Sequence, residues 1–296
     1  FNKRALKFVE EAKTKKPESK AVEPKKPVVS KAETSKIEAP KTETAKVAKK
    51  KHADVPVNIY RPKTPFEGTV IEIGPGPGGL TRSILLMGAH ELIAIEKDQR
   101  AIVFLEELKK AASPRLQIKQ ADALTEPVWE FGFQPRQIIA NLPYNIATPL
   151  LILWLRHANA FDKLTLMFQK EVAERIVAQP GESCFGRLSV LCDWLTIAKI
   201  LFEIPADAFL PKPKVTSAVV QLMPRKNLLF DCRLNYLEKV TQIAFNQRRK
   251  MLRASFKKFG GTQMLTSLNI DPMIRPQDLS TESFCKLANH LGPQLG

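Results

Sequence analysis

Residues 1–52 contain no glycine and no aromatic beyond Phe8. A stretch so poor in bulky apolar groups, and so rich in Lys, Glu, Ala, Pro, Thr and Ser, cannot bury enough surface to offset the entropy of ordering it. It is expected to be disordered after a short helix at 3–13. Cysteine is also sparse: Cys184, Cys192, Cys232 and Cys285 show no C-x-x-C spacing and form no metal-ligand pattern with the four histidines. That excludes a zinc-ribbon scaffold and reads as reduced, mostly buried thiols of an intracellular protein. No apolar run reaches the roughly 18 residues needed to span a bilayer; the longest candidate, "TPLLILWL", is far shorter. A signal-peptide pattern is missing, and the first residue is Phe1 rather than Met, so the chain reads as a fragment or a processed product.

What is abundant is positive charge. The 296 residues carry 46 Lys+Arg against 30 Asp+Glu, a formal net charge of +16. Such a surplus points to a polyanionic partner, nucleic acid before an anionic membrane. Residues 1–66 alone hold 18 Lys+Arg against 8 Asp+Glu, leaving 28 against 22 for the remainder. The globular part is therefore only mildly basic, and charge by itself does not separate a nucleic-acid binder from a protein with a basic tail.

The segment "KKHADVPVNIYRPKTPF", ending at Phe66, resembles the N-terminal arm of plant-type ferredoxin–NADP reductases over about 15 residues. It reads as a seam between the tail and the globular part. From Gly68 the pattern alternates. Strands are expected at 69–74, 91–96, 116–122, 136–142, 163–169, 199–205 and 217–224, with helical periods at 79–88, 98–112 and 147–158. Continuous apolar strands alternating with helices argue an α/β fold with a parallel sheet covered on both faces. A short proline-rich link joins the last two strands and predicts an antiparallel edge pair. After Arg225 the pattern is all-helical, including one long helix through "AFNQRRKMLRASFKKF". Three parts result: a basic tail and linker (1–66), a catalytic domain (67–225) and a small helical domain (226–296).

Chemistry concentrates in the turns after the strands. In "EIGPGPGGLT", Gly74, Gly76 and Gly79 fit G-x-G-x-x-G between a strand and a helix. Glycine there permits a tight turn and lets a cofactor approach the backbone. The pattern alone is shared by nucleotide, dinucleotide and S-adenosylmethionine sites, and by plain turns. Glu96 ends the second strand, where a carboxylate accepts both ribose hydroxyls. Asp98 competes for that role but stands better as the cap of the next helix. Asp122, in "QADAL", closes the third strand, where it suits the amino group of an adenine; a simple turn aspartate is the competing reading. After the fourth strand, Asn141-Leu142-Pro143-Tyr144 places a side-chain oxygen beside backbone carbonyls of Leu142 or Pro143. Together they suit the two hydrogens of an exocyclic amine, drawing its nitrogen toward tetrahedral geometry and aiming its lone pair. Positioning then does most of the work of an in-line methyl transfer. Tyr144 suits stacking on a base taken out of its own stack.

These residues carry a resemblance. From about Val70 to Leu291 the chain is similar to S-adenosylmethionine-dependent ribosomal RNA adenine N6-dimethyltransferases of the KsgA type. The shared motifs include "EIGPGPGGLT", "IEKD", "ADAL", "NLPYNIATP", "FQKEVAERIVA", "GRLSVL", "FLPKPKVTSAVVQL" and "AFNQRRKMLRASF". The resemblance implies a Rossmann-like methyltransferase sheet with a small helical C-terminal domain. It implies S-adenosylmethionine contacts at Gly74, Gly76, Glu96, Asp122 and Asn141, and a second stacking aromatic at Phe209. The implied reaction is N6-dimethylation of two adjacent adenosines near the 3′ end of small-subunit rRNA, on an immature small subunit, by a cytoplasmic monomer independent of membranes; the basic leader leaves an organelle open. Arg248, Arg249, Lys250, Arg253 and Lys257 are the basic cluster that suits RNA phosphates. Macrolide-resistance methyltransferases of large-subunit rRNA share the fold, but the Leu of the tetrad and the basic stretch look more like the small-subunit enzymes.

One family feature is missing. The arm with Gln-Asn-Phe-Leu that closes over the cofactor does not occur before Gly68. Its loss is expected to weaken cofactor binding, and it keeps a second reading open: an rRNA-binding assembly factor with little catalysis. A flavin- or nicotinamide-linked reductase, suggested only by the seam, ranks third.

Overall fold

The computed structural model describes residues 66–295. The expected tail, its helix at 3–13 and nearly all of the reductase-like seam lie outside them. Seven strands form one sheet: β1 (Thr69–Ile73), β2 (Glu91–Glu96), β3 (Leu116–Gln120), β4 (Arg136–Ala140), β5 (Lys163–Gln169), β6 (Thr196–Ile204) and β7 (Ser217–Pro224). Their order is β3-β2-β1-β4-β5-β7-β6. The first five are parallel, and β7 runs antiparallel between β5 and β6. The anticipated antiparallel pair is therefore present at one end of a parallel sheet.

Alternation along the strands divides the core. Ile71 and Ile73 of β1, Ile138 and Ala140 of β4, and Leu164, Leu166 and Phe168 of β5 face one side. There they meet α3 (Tyr144–Leu155), α4 (Lys170–Val177) and α5 (Arg187–Leu195). On the other side Val70, Leu92, Ala94 and Ile139 meet α1 (Gly79–Leu86) and the end of α2 (Gln99–Ala112). Strand residues that bury on both faces are what a parallel sheet requires. Helices α4 and α5 are not anticipated individually by the sequence pattern. The Val172, Ala173, Ile176 and Val177 spacing in α4 is the available signal.

Two strands end earlier than their apolar runs suggest, and both endings build the site. Strand β3 stops at Gln120 because Asp122 turns the chain: its Oδ1 accepts the Leu124 amide at 3.0 Å, and its carbonyl accepts the Thr125 and Glu126 amides. Strand β4 stops at Ala140 because Pro143, with φ −54° and ψ 135°, cannot continue a ladder and caps α3 instead. Asp98 caps α2 as expected, accepting the Arg100 amide at 2.9 Å.

Beyond the sheet lie α6 (Leu234–Asn246), the single turn α7 (Leu252–Ser255), α8 (Gly261–Ser267) and α9 (Thr281–Leu295). The long helix expected through 258 is not formed. Helix α6 stops at Asn246, with Gln247 at φ −123° and ψ 52°. The amides of Leu252 and Arg253 turn to the carbonyls of Ile274 and Pro272. Burying Leu252 and Phe256 completely, which a straight exposed helix could not do, drives this break. Leu237, Val240, Phe284 and Leu291 join one core cluster with Phe185, Val190 and Trp194, so the helical segment packs directly on the sheet layers. Arg156, which follows α3, and Glu238 of α6 add a two-pronged ion pair at 2.8 and 2.9 Å. Helix α9 approaches α6 so closely that a Cβ at Gly292 would lie 2.1 Å from the Tyr236 ring.

Candidate active site

All the turns singled out in the sequence converge on the carboxyl edge of the parallel strands, the edge where doubly wound sheets bind ligands. Gly74, Gly76 and Gly78 of the first turn have φ of 69°, 54° and 84°. Side chains rarely adopt these values, which explains Gly74 and Gly76 of the pattern and Gly78 beside it; Gly79, the pattern's third glycine, opens α1 without a positive φ. Nothing would lie within 4 Å of a Cβ at Gly76, so the mouth of this turn is open. The turn is pinned from below: the Gly74 amide donates to the Ile95 carbonyl at 2.9 Å.

Glu96 is held by the backbone rather than by side chains. Its Oε2 accepts the Gly76 amide at 3.0 Å, and its Oε1 accepts the Lys97 and Asp98 amides at 2.8 and 2.9 Å. These contacts fix the carboxylate beside the glycine turn and leave lone pairs for further donors. Asp122 stands across the gap. Its Oδ2 takes Lys97 Nζ at 2.8 Å, and this bond, with the Leu124 amide, holds its pKa below the usual carboxylate value.

Beneath the turn lies Glu72, whose place two residues before the first glycine strengthens the motif in the sequence. It is 1% exposed, and neither carboxyl oxygen has a hydrogen-bond partner among the described residues. Burial pushes its pKa up to about 8, and the Glu96 charge adds to the rise. The Thr81 hydroxyl of α1 opposes the shift, from a geometry short of a hydrogen bond. An acidic residue two before the first glycine is the only signal of it in the sequence.

The tetrad after β4 presents three different surfaces. Asn141 is exposed, and its side chain hydrogen-bonds no described residue; Leu142 is buried under the glycine turn, its Cδ2 3.7 Å from where a Gly74 Cβ would sit. Of the two carbonyls considered for an amine, that of Pro143 already accepts the Ile146 and Ala147 amides at the start of α3. The carbonyl of Leu142 is the one left open among the described residues. Tyr144 is half-buried, and its hydroxyl meets Ser217 Oγ at 2.6 Å. That bond to the first residue of β7 fixes the ring beside the tetrad. Phe209 is also half-buried, in extended backbone after β6, at the same edge of the sheet.

The basic cluster divides. Arg249 and Lys250 in the turn after α6, Arg253 on α7 and Lys257 just beyond it are exposed. Arg248 is exposed too, but its guanidinium is engaged by the Ser183 and Phe185 carbonyls, which ties the turn to the loop before α5. It is a structural clamp rather than an uncommitted charge. Among the described residues no cluster of His, Cys, Asp or Glu could hold a metal ion, and no helix is long and apolar enough to cross a membrane.

A family model described as ribosomal RNA adenine dimethylase matches residues 51–292. Because the match begins at residue 51, the reductase-like reading of 51–66 is not sustained; those residues align with the family itself. Proteins named ribosomal RNA small subunit methyltransferase A are 51% identical over 225 residues in Paramagnetospirillum magneticum, covering 76% of this chain and 80% of that protein. The one from Rhizobium johnstonii is 51% identical over 229 residues, covering 76% and 83%. Among solved structures, a dimethyladenosine transferase from Plasmodium falciparum is 26% identical with a TM-score of 0.62, covering 77% of this chain and 91% of that one. The 23S rRNA methyltransferase ErmE is 25% identical with a TM-score of 0.57, covering 76% and 91%. With its seven-stranded sheet, its site at the carboxyl edge and relatives of this closeness, the chain belongs to the ribosomal RNA adenine dimethylase family.

Proposed function

We propose that this enzyme uses S-adenosylmethionine to dimethylate N6 of two adjacent adenosines near the 3′ end of small-subunit rRNA, acting as a monomer on the immature subunit. The donor supplies an electrophilic methyl group on a sulfonium. The open glycine turn and the amide-held Glu96 carboxylate fit its nucleoside: Glu96 takes the ribose hydroxyls, and Asp122 takes the adenine amine once Lys97 swings aside.

The observation that carries the reading is the pair of open acceptors at the tetrad. Asn141 Oδ1 and the Leu142 carbonyl accept the two hydrogens of the target amine and hold its lone pair toward the donor. After the first methyl is added, one hydrogen remains for one acceptor, so the same grip serves a second transfer. No strong base is required, because the alkylated nitrogen sheds its proton to water. Tyr144, braced by Ser217, and Phe209 stack on the flipped base. Arg249, Lys250, Arg253 and Lys257 contact phosphates and position the RNA without reading its sequence.

The test is methyl incorporation by the full chain into small subunits isolated before this modification, with N6,N6-dimethyladenosine read by mass spectrometry. The expected product is two dimethylated adenosines, reduced by roughly a hundredfold or more in Asn141→Ala. The absent Gln-Asn-Phe-Leu arm favours one other reading, an assembly factor with little catalysis. Tight binding of immature subunits with no turnover at saturating donor would establish that reading in place of ours.

A further inference from the structure

Folding brings together two thiols that no sequence motif connects. Cys232 stands just before α6, and Cys285 lies near the start of α9. Both belong to one core cluster, with Cys232 9% and Cys285 2% exposed. Their neighbours hold the two segments in register. Asn289, one turn along α9 from Cys285, donates its side-chain amide to the Asp231 carbonyl at 2.7 Å. Trp194 Nε1 of α5 donates to the Phe230 carbonyl at 2.9 Å. Between these anchors the Cys285 thiol donates to the Cys232 sulfur. That hydrogen bond holds the Cys232 pKa below the usual thiol value, against burial and the Asp231 charge, and raises that of Cys285. The other two thiols are placed differently. Cys184 Sγ faces the Glu174 carbonyl at 3.8 Å, and Cys192 is fully buried, which raises its pKa.

We propose that Cys232 and Cys285 are a modification site, converted to a reversible disulfide by hydrogen peroxide or another small two-electron oxidant. Asp231 and Arg233 on either side of Cys232 are exposed, so this segment borders solvent and a molecule of that size has a short path to the sulfur. The Cys232 thiolate is the nucleophile. It attacks one peroxide oxygen, the O–O bond breaks, and the departing hydroxide takes up a proton as water, leaving a sulfenic acid on Cys232. The Cys285 sulfur then attacks the Cys232 sulfur. The S–O bond breaks, and the oxygen leaves with the Cys285 proton as a second water. Two thiols have lost two electrons, which reduced one peroxide. A dithiol reductant reverses the bond by exchange. The link fastens the entry of α6 to α9 and closes a loop that carries Arg249, Lys250, Arg253 and Lys257. It uses no residue of the glycine turn or the tetrad.

The test uses the full chain with Cys184→Ser, which removes the half-buried thiol and leaves the three buried ones. Hydrogen peroxide added to the folded protein should lower the free thiols from three to one. The intact mass should fall by two hydrogens, and proteolysis should release a peptide joined through Cys232 and Cys285. Closing this loop is expected to raise Tm by roughly 5–10 °C, and dithiothreitol should reverse all three changes. With Cys285→Ala added, Cys232 should stop at the sulfenic acid and be trapped by dimedone. With Cys232→Ala instead, Cys285 should take up no dimedone. If either of these variants does not fold, the peptide map of the Cys184→Ser protein carries the test. Sulfinic or sulfonic acid at Cys232 without a cross-link would overturn the assignment. So would a cross-link that forms only in denaturant, or a lower Tm in the cross-linked protein; each would leave the two thiols as packing alone.

Discussion

Replacing Glu72 with glutamine should make the protein more stable, and increasingly so as pH rises. In the folded state the carboxyl keeps its proton to about pH 8, because burial without a hydrogen-bond partner penalises the anion and Glu96 repels it. In the unfolded chain the same group ionises near its ordinary value of 4.5. Folding therefore takes up a proton between these two values, and stability must fall as pH rises through that window. The slope is about 1.4 kcal/mol per pH unit, giving a cost of about 3 kcal/mol at pH 7 and about 5 kcal/mol above pH 8. Glutamine is close to an isostere of the protonated acid and has no such penalty. Urea unfolding of parent and Glu72→Gln at pH 5, 6, 7 and 8 reads the effect as a difference, so other titrations cancel. The curves should nearly coincide at pH 5 and diverge steadily to pH 8. Asp98 and Asp122, whose pKa values are lowered, act in the opposite sense and only at more acid pH, outside this window. A pH-independent difference, or a glutamine variant less stable at pH 8, would refute the claim that this carboxyl is buried and unpaired.

Three further outcomes are expected. Asn141→Ala should reduce methyl transfer by roughly a hundredfold or more, while leaving Tm nearly unchanged, since the side chain is exposed and bonds nothing described; single-turnover assays with thermal unfolding check this. Tyr144→Phe should cost about 1 kcal/mol in stability through the lost Ser217 bond but keep most activity, whereas Tyr144→Ala should lose activity with the ring; parallel unfolding and turnover measurements separate the two. Gly292→Ala should destabilise by about 1–3 kcal/mol, because the added methyl meets the Tyr236 ring, and Tyr236→Ala should partly relieve it in a double-mutant cycle.

Much of the catalytic edge is legible in the chain because it is built from local chemistry. Glycines that need positive φ, a carboxylate at a strand end, an Asp that caps a helix and a proline that stops a strand each act within a few residues of themselves. The strands up to Arg225 and the helices up to α3 follow from period and burial, and so does the parallel sheet, whereas α4 and α5 do not. Motif order alone leads to the family.

What lies between distant segments is decided only on folding. Sequence cannot say that Tyr144 is braced by Ser217, 73 residues on, or that the Pro143 carbonyl is consumed by α3 and the Leu142 carbonyl left open. Residues 247–258 favour a helix by propensity, but burying Leu252 and Phe256 against the core outweighs the few backbone bonds a longer helix would gain. Arg248 counts as free charge until the loop before α5 supplies carbonyls for it. Glu72 shows the division most plainly: its position before the glycines is written in the chain, whereas its missing partners and raised pKa exist only once α1 and the sheet close around it.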